Sequence, residues 1–294
     1  GCALTERVTA DGRHKVLLLE AGGEDKDRWL RIPLGIGKLI TGSKYIWPFS
    51  TEAEPHMDGN KVYWPRGKVL GGSSSVNGMV FVRGQAQDFD TWAQLGNRGW
   101  SFNDVLPFFR NMESYTGGED ELRGRDGPLR VTDPDASDPL MATIIKAASE
   151  VGIPHNPDYN GVRQDGIAMS QATIADGRRM STAHCYLTPI RNRPNLHIVT
   201  DALTERILLE GTRCIGVRYS VGGKTQEARA GRDVVISAGS ALARSPSHSS
   251  LIPCETAAFA LATSSAAPTS FAITSASAFP SLTTLIISSA SSTI

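Results

Sequence analysis

The stretch from Pro65 to Asp90, PRGKVLGGSSSVNGMVFVRGQAQDFD, constrains this chain more than any other. Adjacent glycines at 71 and 72 lead into Ser73, Ser74 and Ser75, and then into Asn77-Gly78. Glycine has no Cβ, so its backbone can come within contact distance of a ligand. Successive backbone N–H groups and serine hydroxyls in such a loop form a concavity suited to phosphate oxygens. Asn77-Gly78 predicts a turn that carries an amide able to donate and accept. Composition alone favours the plainer reading, an ordinary Gly/Ser surface loop.

A second feature lies upstream. Val16-Leu17-Leu18-Leu19-Glu20, followed by Ala21-Gly22-Gly23, reads as a buried parallel strand whose exposed carboxyl end carries an acid. In dinucleotide-binding βαβ units an acid about twenty residues past the glycine fingerprint bonds the ribose hydroxyls. Gly1 stands nineteen residues before Glu20 and fits the third glycine of such a fingerprint. The first two glycines and the preceding strand are then expected to lie outside this chain. Two buried strands would lose a neighbour, and any leader segment would be invisible. Taken alone, Glu20 reads first as a solvated strand-end acid, and the βαβ pattern alone leaves NAD open as the ligand.

The Pro65–Asp90 window resembles the first signature of the glucose-methanol-choline (GMC) flavoprotein oxidoreductases. It does so through Gly67, Lys68, Leu70, Gly71, Gly72, Ser73, Ser74, Val76, Asn77, Phe81, Gly84 and Asp90. The resemblance implies FAD rather than NAD, with this segment over the pyrophosphate and reaching the flavin. It assigns cofactor contacts to Gly1, Glu20 (AMP ribose), Val69, Gly72, Ser73, Asn77, Gly78, Met79 and Val80. It adds Val199, through its backbone to adenine, and Ala238 beside the diphosphate and adenosine. Members that hold flavin covalently carry a His where this chain has Val76, so dissociable FAD is expected.

The implied fold class is α/β: a three-layer, Rossmann-like FAD-binding domain with an inserted α+β substrate domain, both incomplete. Residues 1–239 correspond to the FAD-binding region, with part of the substrate domain over roughly 130–190. Residues 240–294 depart from the family pattern. From Ser245 onward Glu255 is the one acidic or basic residue, and Ser, Thr and Ala dominate. This low-complexity tail is read as a shifted reading frame, a mispredicted gene end or a genuine stalk.

Local signals fill in the rest. Asp27 to Tyr45 reads as a short helix plus loops. Ser101 caps a helix with Asp104 three positions on, and Val105, Leu106, Phe108, Phe109 and Met112 form its expected buried face. Gly117 to Gly127 reads as a polar loop or lid. Asp138 to Val151 is an amphipathic helix stopped by Gly152. Asp176-Gly177 marks a tight turn. Arg178-Arg179 reads as a structural or solvated pair before it reads as an anion site. Glu210-Gly211 joins two alternating strands, and Asp233 to Gly239 is a further buried strand.

Thirty basic residues balance thirty acidic ones, which argues against a nucleic-acid partner. No run of eighteen apolar residues is present to span a membrane. Cys2, Cys185, Cys214 and Cys254 form no CxxC pair, and the six histidines have no metal-binding spacing. A reduced, cytoplasmic interior is the default setting. The resemblance implies oxidation of a choline-like or other primary alcohol by hydride transfer to flavin, with an electron acceptor left open. The family's catalytic His and its partner match none of His14, His56, His155, His184, His197 or His248, so no catalytic residue is assigned and the chain by itself is expected to be inactive. Two other readings stay open: a hydroxynitrile lyase of the same family, and a non-functional remnant.

Overall fold

The computed structural model describes residues 1–135, 137–239 and 284–289. In chain order the elements are α1 (Cys2–Thr9), β1 (Val16–Glu20), α2 (Arg28–Arg31), α3 (Ile36–Leu39), β2 (Ile46–Trp47), β3 (Arg66–Gly67), α4 (Ala86–Gln94), α5 (Phe102–Met112), β4 (Glu113–Ser114), β5 (Leu129–Arg130) and α6 (Pro139–Glu150). They continue with β6 (Ile174–Ala175), β7 (Arg178–Arg179), β8 (Leu196–Val199), β9 (Ala202–Glu210), β10 (Arg213–Val221), β11 (Lys224–Arg229), β12 (Asp233–Ile236) and β13 (Thr284–Ser289). The chain divides into two units, one of Gly1–Asn77 with Thr182–Ile294, the other of Gly78–Ser181.

The first unit is built on a parallel sheet of order β12-β13-β1-β8. Every residue of β1 is buried, as a strand covered on both faces requires. Burying Val16 through Leu19 contributes about 1.5–3 kcal/mol per side chain. Leu17 and Leu19 pack with Ala202, Val217, Tyr219 and Ala228 of the antiparallel meander β9-β10-β11. Helix α1 also packs on β1 and buries Cys2, Thr5 and Thr9. Gly12 follows α1 in the left-handed region, at φ 72°, where glycine ends a helix without strain. A second cluster of Leu30, Leu39, Ile46, Val69 and Val76, with Trp29 and Tyr45 against it, fixes the start of the glycine-rich loop.

One expectation is corrected here. The place beside β1 that was to lack a strand is taken by β13, whose backbone pairs Leu285 with Leu17 on one side and with Val234 on the other. Its source is the run Thr-Leu-Ile-Ile-Ser-Ser, an uncharged, β-branched island within the Ser/Thr/Ala-rich stretch. The rest of the reading of 240–294 lies outside the described residues.

The second unit has short strands and three helices. Ser101 and Asp104 form the expected capping box on α5, and Asp138 caps α6 by accepting from Leu140 N. The expected buried face of α5 does not form. None of its residues is buried, and Phe108 is 73% exposed. Val105, Leu106, Phe109 and Met112 are half-buried, with Phe102 and Phe109 against Phe89. Asp176 and Gly177, both at positive φ, make the hairpin turn between β6 and β7.

Candidate active site at the carboxyl edge of the parallel sheet

Because β8, β1 and β12 are parallel, their carboxyl ends share one edge of the sheet, the edge where open α/β sheets bind ligands. That edge carries Val199 at the end of β8, Glu20 at the end of β1 and Ala238 two residues past β12. Val199 and Ala238 are half-buried and lie against the meander core. Gly1 is exposed and precedes α1 as its cap residue.

Glu20 is fully buried, and its Oε1 accepts the backbone N–H of Gly22 at 2.8 Å. A buried carboxylate at a strand end is costly unless polar groups surround it, so the reading as a solvated strand-end acid is ruled out by its burial. Gly22 is required for a separate reason. A Cβ there would lie 2.0 Å from the carbonyl carbon and oxygen of Lys68. The backbone of β1's exit therefore presses directly on the glycine-rich loop, and Gly23 bridges Val69 in a parallel pair. Val69 is fully buried at this junction.

The loop turns through Gly71 and Gly72, at φ 90° and 58°, into a short 3-10 turn over Gly72–Ser75. Its serines are used differently from the phosphate cradle the sequence suggests. Ser73 Oγ accepts from Gly67 N at 3.0 Å, Ser74 Oγ donates to Gly71 O at 2.7 Å, and Ser75 Oγ donates to Leu70 O at 2.8 Å. The hydroxyls stitch the loop to itself because so tight a bend leaves its own backbone groups unmatched. Ser73 is exposed and, as an acceptor toward Gly67, keeps its proton for a ligand. Asn77 is also exposed, with its N–H on Ser73 O. Val76 points into the apolar cluster with Leu30 and Val69.

Gly78, Met79 and Val80 fall in the second unit. Met79 is buried at φ 64°, an uncommon conformation for a non-glycine residue, and Thr173 donates to its carbonyl. Val80 is exposed and bridges Ala172. Arg178 is exposed, whereas burial of Arg179 on β7 pushes its guanidinium down to about 10.

Sequence reasoning missed two groups. The first is Thr182 with Cys2. Burial pushes the Cys2 thiol up, opposed by bonds to the Thr182 side chain and the Gly71 backbone. The second is a buried ionic cluster in the second unit. Glu113 Oε1 accepts from Arg83 Nη2 at 2.5 Å, from Arg123 Nε at 2.8 Å and from Gly124 N at 2.8 Å. Arg123 also pairs with Asp158, bonds Gln171 at 3.1 Å and lies over the Tyr115 ring. Arg123 is fully buried, so Gly117–Gly127 is no simple solvent-facing lid. Its charge density reads as solvated until the distant partners Arg83, Glu113 and Asp158 are known.

His14 precedes β1 at the opposite end of the strand, and His56, His155, His184 and His197 are exposed. His248 lies outside the described residues.

Comparison with known proteins agrees with this geometry. The family model described as GMC oxidoreductase matches residues 16–247. The oxygen-dependent choline dehydrogenase of Vibrio vulnificus (strain YJ016) is 43% identical over 242 residues, which cover 82% of this chain and 43% of that protein. Pyridoxine 4-oxidase from Mesorbium loti superimposes with a TM-score of 0.76 at 32% identity, covering 81% of this chain and 47% of that one. An FAD-dependent oxidoreductase from Chaetomium thermophilum gives 0.75 at 29% identity, covering 82% and 44%. The chain thus spans less than half the length of the relatives it matches.

Proposed function

The chain belongs to the GMC oxidoreductase family, and from that membership and the sheet-edge geometry we propose that its first unit binds FAD, non-covalently, for oxidation of a small alcohol. The observation that carries this is the meeting, in one unit, of a fully buried Glu20 with the close-packed glycine junction Gly22–Lys68. FAD, when bound, supplies the acceptor for the hydride of a CH–OH group.

The chain's own residues bind and orient. Glu20 accepts hydrogen bonds from the ribose hydroxyls. The Ser73 N–H and hydroxyl donate to the diphosphate, while the Gly72 N–H stays on Val69 O. The Val199 backbone meets the adenine, and the α1 amino end and Ala238 close the site around the adenosine half. The flavin-end roles of Asn77, Gly78, Met79 and Val80 rest on the family resemblance alone. Val76 offers no nucleophile and is buried in an apolar cluster, which supports dissociable flavin. The choline dehydrogenase likeness favours choline-like or other primary alcohols as substrates of the whole protein. No residue of this chain is assigned as the proton acceptor for the alcohol.

The test is gel filtration of the purified chain after addition of FAD. Flavin absorbance should co-elute with the protein and be released on denaturation, and NAD should not compete. Absence of retained flavin would contradict the proposal. Under anaerobic conditions choline and primary alcohols should leave the bound flavin oxidised, and bleaching would place the base within this chain.

A further inference from the structure

Gly71 and Gly72 turn the loop at positive φ in succession, a conformation that nothing in their own side chains enforces. Besides the loop's own hydroxyls, a residue more than a hundred positions away bonds the turn. Thr182 N donates to Ser74 Oγ at 2.9 Å. Thr182 Oγ1 lies 2.9 Å from Ser74 Oγ and 3.3 Å from Gly71 O. Ser74 Oγ in turn donates to Gly71 O at 2.7 Å. The proton count closes: Ser74 gives its one proton to Gly71 and accepts from Thr182, whose own proton is shared between Ser74 Oγ and Gly71 O. The buried Cys2 thiol lies beside the same two residues, Thr182 and Gly71. The packing is equally close, since a Cβ on Gly71 would lie 3.0 Å from Ala183 Cβ and 2.4 Å from Ser75 Oγ.

We propose that Thr182 is a positioning residue for the diphosphate-binding turn, holding Gly71 to Ser74 in one conformation. This rests on the reading of the first unit as an FAD site. Thr182 touches the loop and not the cofactor. It begins the segment that re-enters the first unit, as the residue before the π-helical turn Ala183–Leu187. The hydroxyl therefore couples the fold of that returning segment to the shape of the cofactor loop.

The test uses the full chain with T182V, T182S and S74A, read by FAD titration and by amide hydrogen exchange without FAD. T182V keeps the volume and removes the hydroxyl. It should weaken FAD binding about five- to tenfold, as expected for the loss of roughly one net hydrogen bond. It should also speed exchange over residues 71–77 while leaving β9 to β11 unchanged. T182S restores the oxygen and should return both readings to within about twofold. S74A also removes the acceptor of Thr182 N and the donor to Gly71 O, so it should weaken FAD binding and speed exchange at least as much as T182V, and the double variant should cost less than the sum of the two. Unchanged exchange over 71–77 in T182V would overturn the pinning, whatever the state of the cofactor. Faster exchange with unaltered FAD affinity would overturn the positioning role. Wild-type chain that binds no FAD would overturn the FAD reading and that role together, while the exchange comparison still decides the pinning.

Discussion

Glu20 accepts the backbone N–H of Gly22 at 2.8 Å, so the acid at the end of the central strand folds back over the bend that follows it. The same bend places Gly22 against the carbonyl of Lys68, where a Cβ would have only 2.0 Å of room. One short segment thus positions the buried acid and seats the glycine-rich loop.

A methyl group at position 22 cannot be absorbed by a rotamer change, since what it meets is backbone. Gly22→Ala should destabilise the fold by about 1–3 kcal/mol and abolish FAD retention. Gly37 lies inside α3 with nothing near a prospective Cβ, and Gly37→Ala should instead stabilise by about 0.4–1 kcal/mol. Paired urea titrations followed by tryptophan fluorescence would show opposite shifts of midpoint.

The cluster of Arg83, Glu113, Arg123 and Asp158 pairs two cations with two anions out of solvent. Arg123→Met leaves Glu113 and Asp158 short of a counter-charge. The expected cost is about 3–5 kcal/mol, because the buried carboxylates lose their partner. Combining it with Glu113→Gln should cost less than the sum of the two single changes, a deficit measurable by a double-mutant cycle in urea.

Asp27 caps α2 by accepting from Trp29 N at 3.0 Å and takes a second bond from the Tyr45 hydroxyl at 2.8 Å. These bonds, the Trp29 amide first, hold its carboxyl below the usual range. A depressed folded-state value means that the stabilisation is present above the unfolded carboxylate range and is lost as pH falls through the folded value. A carbon-detected NMR titration should show Asp27 protonating below the ordinary aspartate value, and Tyr45→Phe should move it upward. Titration at the ordinary value would contradict the cap.

Strand β13 supplies the backbone partners of both β1 and β12, pairing Ile286 with Leu18 and with Val235. Proline at 286 removes a ladder N–H in the middle of the sheet. Ile286→Pro should cost about 3 kcal/mol or more and lower the thermal midpoint, as should truncation after Gly239. A midpoint equal to that of the full chain would show that β13 does not complete the sheet.

Much of this architecture was legible in local signals. The Val16–Glu20 run, the Ser101–Asp104 capping box and the Asp176-Gly177 turn each depend on residues close in sequence, and each forms where expected. What stayed hidden depends on distance along the chain. The apolar face of α5 satisfies its helical period, yet Phe108 finds no cover among the described residues. The serines after Gly72 have the chemistry of a phosphate cradle, but the needs of their own bend claim Ser74 and Ser75 first. Thr182 carries no motif that points toward Gly71. The Leu285–Ile287 run was overshadowed by the composition around it.

The most direct test of the cofactor site is an FAD titration of wild-type chain against Glu20→Gln, followed by flavin absorbance. The amide keeps the shape and can still accept from Gly22, but it loses the charge that strengthens bonds from ribose hydroxyls. The account predicts affinity weaker by about ten- to a hundredfold, the worth of a hydrogen bond to a charged group, with the thermal midpoint of the cofactor-free protein retained. Equal affinity in the two proteins would mean that Glu20 does not hold the cofactor, and that the carboxyl edge of this sheet is not where FAD binds.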